Sequence, residues 1–423
     1  MRILISGASI SGPVLAYWLI RHGFDVTVVE RAGQLRKTGG HAVDLFRPAM
    51  EISEKMGVLP QIEALQTGTT ELTLRRHGAK RPVHVNLTKV YAASSDRHVE
   101  IMRDDLSEVY YNATRDDAEY LFGDSIIAIS PDGRVTFEHN KPRDFDVIVG
   151  ADGLHSNVRS LVFGGDAGHT RFLGGHLAVV SVPKSLAREG EMVVHLAAGR
   201  MAGIYTAKPL QDARALFLFR SKEELRYHHR DVLRQKQLLR AAVAGMHPQV
   251  DRWLDGLDVT PAFYFDSIIQ LQLDAWSRGR VALVGDAGYC PGPAVGGSTS
   301  IAVLGAYVLA GELARAGGDY PRAFACYEQQ MAEAVRRSRA FARTAAKSIV
   351  PSSAAGVWAL TRGAQLISAL PASLTRAVAK LNTKGVRLFD SMQYSDYSFG
   401  NMAPKPLTRG LAPNGSQRCR NME

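Results

Sequence analysis

Gly7-Ala8-Ser9-Ile10-Ser11-Gly12 stands between a short apolar run, Arg2–Ser6, and an apolar stretch with helical spacing, Ile10–His22. The spacing is GxGxxG with Ser9 in place of the middle glycine. A turn of this kind can hold a pyrophosphate. Gly7 permits the tight turn, Gly12 lets helix and strand pack closely, and the helix start at Ile10 and Ser11 offers free N–H groups and the positive end of its dipole. Ser9 is small enough for a backbone to approach, with a narrower choice of φ than glycine. Glu30 ends the next β-branched run, Asp25–Glu30, at the spacing of a carboxylate that accepts hydrogen bonds from an adenosine ribose. The bland alternative is a glycine-rich turn with no ligand. The motif alone does not separate FAD from NAD, because both use it.

Two later stretches join an apolar strand to a charged turn. Asp146–Val149 runs into Gly150-Ala151-Asp152-Gly153, with Arg159 shortly after, and Val281–Val284 runs into Gly285-Asp286-Ala287. Asp286 falls just past its strand, on the side where open α/β sheets bind ligands, and a carboxylate there can accept bonds from hydroxyls. Together with the N-terminal glycines, these stretches resemble, in kind and in order, the hallmark motifs of the class A flavoprotein monooxygenases. That is the aromatic-hydroxylase family sharing the para-hydroxybenzoate hydroxylase fold. The likeness spans roughly residues 1–345 in motif order and is dense around 2–50, 100–160 and 276–312. Within the family the chain looks close to antibiotic- and tetracycline-modifying and polyketide hydroxylases.

The resemblance implies a bound FAD that NADPH or NADH reduces. Its C4a carbon then adds O₂, and the hydroperoxide hydroxylates an aromatic or polycyclic enolic small molecule. It assigns Asp286 to the ribityl chain. The helix that follows Pro293 and Gly296-Gly297-Ser298 would face the flavin pyrimidine, where its dipole stabilises negative charge on the reduced ring. The family's Gly-Gln-Gly is here Gly296-Gly297-Ser298, so the glutamine contact is missing. Arg103, in Arg103-Asp104-Asp105-Leu106, resembles the arginine of an Arg-x-x-Leu that reaches the phosphates or the ribityl region; as bare sequence it is a solvated arginine at a helix start. Gly39-Gly40-His41-Ala42-Val43-Asp44-Leu45 resembles the segment passing beside the flavin ring, which brings in Gly40 and Asp44. Arg31 and Arg36 suit either phosphate and adenosine or the surface. The resemblance also implies that Asp152 organises backbone at the flavin and, with Arg159, contributes to NAD(P)H use; a simple Asp–Arg pair fixing the loop is compatible with that. Arg159 and the positive net charge favour NADPH.

In such an enzyme the hard chemistry belongs to the cofactor, so no catalytic acid or base is nominated. Substrate-lining candidates come from short strands: His176, His195, Tyr205, Phe217, Phe219 and Arg220. Phe217 and Phe219 alternate onto one face of a strand, which suits ordinary core as well as a pocket floor. His195 suits a phenolate or enolate, or a satisfied structural role. Covalent flavin attachment through Cys290 is not expected. Neither an HExxH nor a facial triad is present, so no metal is expected. Two other readings stay open: a flavin-dependent reductase or dehydrogenase of the same fold, and a non-catalytic flavin-binding sensor held by its C-terminal helix. Halogenation is set aside because no WxWxIP occurs.

The elements needed to position these groups can be read from periodicity. Strand, helix and strand open the chain as a βαβ unit, whereas from Gly175 to Phe219 short strands alternate with Gly, Pro and charged turns. Helices are expected over Glu223–Ala244, Ser300–Ala316, onward to Lys347, and over Ala355–Leu381. The fold class is therefore α/β: a doubly wound, Rossmann-like FAD-binding domain with an inserted, mainly antiparallel substrate domain and a C-terminal helix. The first takes residues 1–70, 101–172 and 278–345, and the second 71–100 and 173–277. A helical segment, 346–399, and a loose tail, 400–423, complete the chain.

Composition narrows the field further. The net charge of +10 is spread along the chain without a basic block interleaved with aromatics, so nucleic acid is not an expected partner and attraction of anionic cofactors is. Three dispersed cysteines without CxxC spacing fit a reducing cytoplasm. Glycine and serine break the first apolar run, so it reads as strand and helix rather than a signal peptide. No stretch reaches the about 18 apolar residues of a transmembrane span. A monomer or homodimer acting on a small molecule and O₂ is the expectation.

Overall fold

The computed structural model describes residues 1–35, 40–88, 97–165, 168–228, 230–260, 262–293, 297–369 and 392–397, without the side chains of 367–369. Arg36, Gly39, Gly296 and the expected tail 400–423 lie outside them.

Fully apolar strands stack side by side when helices cover both of their faces. Six strands form one sheet whose central members are of this kind, in the order Ser277–Arg278, Val281–Leu283, Val147–Gly150, Arg2–Ser6, Asp25–Glu30 and Glu119–Phe122. All neighbours run parallel except the first two. Helices Ser11–Arg21 and Ser298–Arg315 pack against each other beside it, Trp18 meeting the Tyr307 ring edge-on at 4.7 Å. The carboxyl ends of the three central strands bring Ser6, Gly150 and Leu283 to one rim, so all three glycine-rich turns open there.

The second sheet has seven strands, in the order Phe263–Leu271, Thr170–Pro183, Asp212–Arg220, Arg200–Tyr205, Glu191–Ala197, Glu71–Arg76 and Val83–Asn86. Its pairings are antiparallel save one, Glu191–Ala197 beside Glu71–Arg76. Strand Thr170–Pro183 shifts register between Phe172 and His176, where Gly174 takes φ +89°. Because side chains alternate, the two faces of this sheet have separate fates. One face, with Ala178, Phe217, Phe219, Ile204 and Phe265, closes against Leu239, Val243, Val250 and Trp253 of helices Val232–Val243 and Pro248–Trp253. The other, with Leu177, Val179, Leu218 and Ile268, meets Val350 just beyond helix Tyr320–Ile349.

The described residues 223–228 and 230–231 are not helical, where the sequence favoured helix. Asp231 starts the helix at Val232 instead, its carboxylate accepting from the Arg234 N–H. The C-terminal helix runs over Ala354–Ala369, and Val357 joins Leu74, Val85 and Leu196 on the sheet. Residues 392–397 are not helical; Tyr397 fills the place of a Gly311 side chain and donates to Glu312 at 2.6 Å.

His176 belongs to the closed face. Its Nε2 lies 3.4 Å from the donating Leu225 N–H, and its ring stacks on Phe219 at 5.1 Å. Nε2 must stay unprotonated to accept, and burial pushes the pKa down from 6.5 to about 4. Since the folded value is the lower one, stability is fully present above pH 6.5 and is lost as pH falls toward 4. The ceiling on that loss is about 3 kcal/mol. Urea midpoints measured across this window should fall for the wild type and fall less steeply for His176→Gln; equal slopes would remove His176 from the account.

Candidate active site

The first turn is built around two missing side chains. Gly7 has φ +109°, and a Cβ on it would lie 2.5 Å from the Ala151 carbonyl oxygen. A Cβ on Gly12 would lie 1.9 Å from the Gly7 carbonyl oxygen, so the helix sits directly on the turn. No side chain caps that helix at Ile10, and Ser11 is buried in its first turn. Its leading N–H groups thus lack a side-chain acceptor, as an anion site requires. Ser9 Oγ accepts from Arg103 at 3.3 Å, and its carbonyl accepts from Ser107 Oγ at 3.0 Å. Each Glu30 oxygen takes one backbone N–H, from Ala8 at 3.0 Å and Ala32 at 2.9 Å. That fixes the carboxylate while a lone pair on each oxygen remains for hydroxyls.

Asp152 is held by the N–H groups of Asn157 (2.9 Å) and Val158 (3.2 Å) and by Ser156 Oγ. Burial raises its pKa, and these donors work against the rise. Arg159 is fully buried; its guanidinium donates to the carbonyls of Leu154 (2.6 Å) and Ala287 (3.0 Å). It therefore ties the Asp152 loop to the Asp286 turn from inside the fold, where a nicotinamide dinucleotide would not touch it directly.

Asp286 begins a one-turn helix after Gly285, whose φ is +65°. Burial raises its pKa, while Arg103 and a hydrogen bond from Cys290 act in the opposite sense. Burial and Asp286 together drive the Cys290 thiol well above its ordinary value, so it stays protonated. Beyond half-buried Pro293, Gly297 adopts the left-handed conformation at the cap of the long apolar helix, and Ser298 opens it. Ser300 Oγ of that helix accepts from the Phe46 N–H at 3.0 Å, which docks strand Ala42–Phe46 beside it. Asp44 on that strand meets His98 Nε2 at 2.7 Å. Gly40 donates to Asp104 at 3.0 Å, and a Cβ there would lie 2.5 Å from that carboxylate. Its carbonyl accepts from Arg214 Nε at 3.1 Å.

Part of this set lines a crevice of about 270 Å³ along the sheet rim, namely Gly7, Ser9, Glu30, exposed Arg31, Gly40, Arg103 and Asp152, whereas Asp44, Asp286, Pro293 and Gly297 are not among its lining residues. A dinucleotide suits it: uncapped N–H groups at one wall, a carboxylate with free lone pairs on both oxygens, and glycines where a Cβ would intrude.

The substrate-side candidates divide by strand parity. His176, His195, Phe217 and Phe219 all point to the helix-covered face, and their core role follows from that side. His195 bonds Gln249 Oε1 at 3.1 Å and lies 4.1 Å, ring to ring, from His247. Tyr205 is on the opposite face and reaches the cofactor side, its hydroxyl accepting the Ala42 N–H at 2.8 Å. Arg220 donates to the Val350 carbonyl at 3.3 Å, away from the crevice. Sequence reasoning missed Tyr264 and Asp266, which share the crevice-facing side of strand Phe263–Leu271. Tyr264 lines the crevice and donates to Asp266 at 3.4 Å, and Asp266 meets His155 Nε2 at 2.9 Å. His41, also missed, is pushed down to about 4 by burial and Arg103. The available signal was the polar alternation Tyr264, Asp266 at the start of the strand.

Comparison with known proteins matches residues 1–338 to the family described as FAD binding domain. An uncharacterised Mycobacterium tuberculosis protein is 42% identical over 346 residues, covering 80% of this chain and 91% of its own. A flavin-dependent monooxygenase of Legionella longbeachae is 33% identical over 344 residues, covering 81% and 87%. The crystal structure of tetracycline destructase Tet(51) superposes with a TM-score of 0.77 at 28% identity, covering 94% of this chain and 99% of that one.

Proposed function

The chain belongs to the FAD binding domain family and is an FAD-dependent oxidoreductase of the flavin monooxygenase type, and from that premise we propose that it uses NAD(P)H and O₂ to hydroxylate an aromatic or polycyclic enolic small molecule. Bound FAD would supply the redox chemistry, taking two electrons from the nicotinamide and delivering one oxygen atom of O₂. The protein's own part is to bind, orient and exclude water. Residues 1–70, 101–172 and 278–345 would hold the cofactor, with Gly7, Gly12, Glu30, Arg103, Asp152 and Asp286 in contact. The seven-stranded sheet would hold the substrate.

The observation that carries this reading is the face of that sheet turned toward the crevice. Its polar groups gather at the crevice, where Tyr264 forms part of the lining beside Asp266 and where Tyr205 and Arg214 hold the Gly40–Ala42 segment, while Leu177, Val179 and Leu218 are buried against Val350. Oriented hydroxyl and carboxylate groups beside the crevice suit a small molecule carrying enol or phenol oxygens. Arg214 and Tyr205 tether the Gly40–Ala42 segment to the same face, so a ligand settling there would be felt by the backbone beside the cofactor.

The test uses the FAD-loaded protein with a panel of phenolic and enolic polycycles, a tetracycline included. NADPH oxidation should accelerate at least about tenfold with a substrate present, because closure around a ligand commits the reaction. One atom of ¹⁸O from ¹⁸O₂ should appear in the product. Accelerated oxidation with no label in any product would favour a reductase of the same fold.

A further inference from the structure

We propose that the turn of the edge hairpin, with His195 and His247 behind it, is a second binding site that takes a small multivalent anion of the phosphate class. The hairpin is formed by strands Glu71–Arg76 and Val83–Asn86 at the rim of the seven-stranded sheet. Its turn encloses a cavity of about 310 Å³ together with Met246 and His247. That is the lower end of the size range for small-molecule sites, about 300 Å³ and upward.

The lining is one-sided in charge. Arg75, Arg76, Lys80 and Arg81 line it with His77, His195 and His247, and no Asp or Glu is among the lining residues. Among the described residues none of the four cations has a carboxylate within ion-pair distance. Four like charges at the end of one strand and the turn after it repel one another, and an anion or screening salt relieves that repulsion. A role in guarding the sheet edge does not account for them. The edge strand itself, Val83-His84-Val85-Asn86, carries no Lys or Arg, whereas cations that protect an edge belong on it.

The cavity is also built rather than a loose surface turn. His77 anchors it through its N–H to the Leu196 carbonyl at 2.9 Å and its Nδ1, 3.3 Å from the Met246 carbonyl oxygen. The Ala79 N–H closes the turn onto Arg76 at 3.0 Å, and Gly78 takes φ +74°. His195 forms the floor, 3% exposed, directly beside Arg75 in the strand register. Burial lowers the pKa values of His195 and His247, and Arg75 lowers both further, the mark of a positive field inside the cavity. Asp251 opposes it at His247. A phosphate group brings about −1.5 to −2 charge and three acceptor oxygens, which match guanidinium forks two at a time.

Two sources share this chemistry: a free phosphorylated metabolite, and the phosphates of the nicotinamide donor. Calorimetric titration of the FAD-loaded protein with inorganic pyrophosphate at low ionic strength reads the site while the dinucleotide crevice is filled. Saturable binding is expected, weakened roughly tenfold or more by Arg75→Gln with Arg81→Gln. Both side chains are exposed, so the variant should fold as the wild type does. If the same variant raises KM for NADPH and leaves KM for NADH unchanged, the donor's 2′-phosphate is the occupant. An unchanged KM for both, with pyrophosphate binding weakened, assigns a separate metabolite. No saturable binding, or equal binding by variant and wild type, overturns the proposal.

Discussion

Gly12→Ala should leave a protein that neither retains FAD nor keeps wild-type stability. The added methyl would stand 1.9 Å from the Gly7 carbonyl oxygen, with Ile5 Cγ2 at 3.5 Å behind it. Both walls of that contact are scarcely movable: one is backbone of the turn, the other a buried strand residue with no exposure. Relief therefore requires helix Ser11–Arg21 to lift off the sheet, which would open the core around Val14, Leu15 and Trp18. Overpacking of a well-filled core costs about 1–3 kcal/mol, and an unrelieved backbone clash belongs at or above the upper end. Lifting the helix also withdraws the N–H groups that a pyrophosphate would meet. Gly33→Ala is the control, since nothing lies within 4 Å of a Cβ there and its φ is not positive. Flavin content after gel filtration and the thermal midpoint read the two variants. A Gly12→Ala protein that stays yellow with an unchanged midpoint would refute the close-contact account.

Asp286→Ala should separate cofactor affinity from stability. Burial favours the protonated form of Asp286 in the fold, so the ionised carboxylate is a group the apoprotein tolerates rather than one that holds it together. Removing it should leave the urea midpoint of the apoprotein equal to the wild type or slightly higher. FAD affinity should fall about ten- to a hundredfold, the worth of a hydrogen bond to a charged acceptor. Asp286→Asn should lie between, because an amide oxygen still accepts but carries no charge. Equal FAD affinity in Asp286→Ala and wild type would remove Asp286 from the cofactor contacts.

The dinucleotide half was legible because each of its signals is local. Gly7, Gly12 and Glu30 lie on one strand-turn-helix-strand unit, and their spacing alone implies the turn that the structure contains. The seven-stranded sheet was legible as antiparallel strands and illegible in its orientation. Alternation says that Phe217 and Phe219 share a face with each other. It is silent on whether that face meets helices Val232–Val243 and Pro248–Trp253 or the cofactor crevice, a choice made by packing far along the chain. Four of six substrate-side candidates consequently fall on the helix-covered side, while Tyr264 and Asp266 went unnoticed at the far end of the insertion. Arg159 was legible as a motif residue, yet its role as a tie between two loops needs the Ala287 carbonyl, which only the closed sheet brings near.

The strand order of the six-stranded sheet has a consequence for how the molecule is made. Val281–Leu283 pairs with Val147–Gly150, and the whole of the seven-stranded sheet except its edge hairpin lies between them in the chain. During synthesis the first βαβ unit can close early, but strand Val281–Leu283 cannot take its place beside Val147–Gly150 until more than a hundred further residues have been made. Loop-closure entropy grows slowly with length, so the delay is one of timing and contact order more than of final stability. On the proposed assignment of Gly7, Asp152 and Asp286 to FAD, the cofactor would bind only the finished sheet. It therefore stabilises the product of folding by mass action without guiding its early steps. Apoprotein and holoprotein should accordingly fold at similar rates and unfold at different ones, with FAD acting as a latch rather than a template.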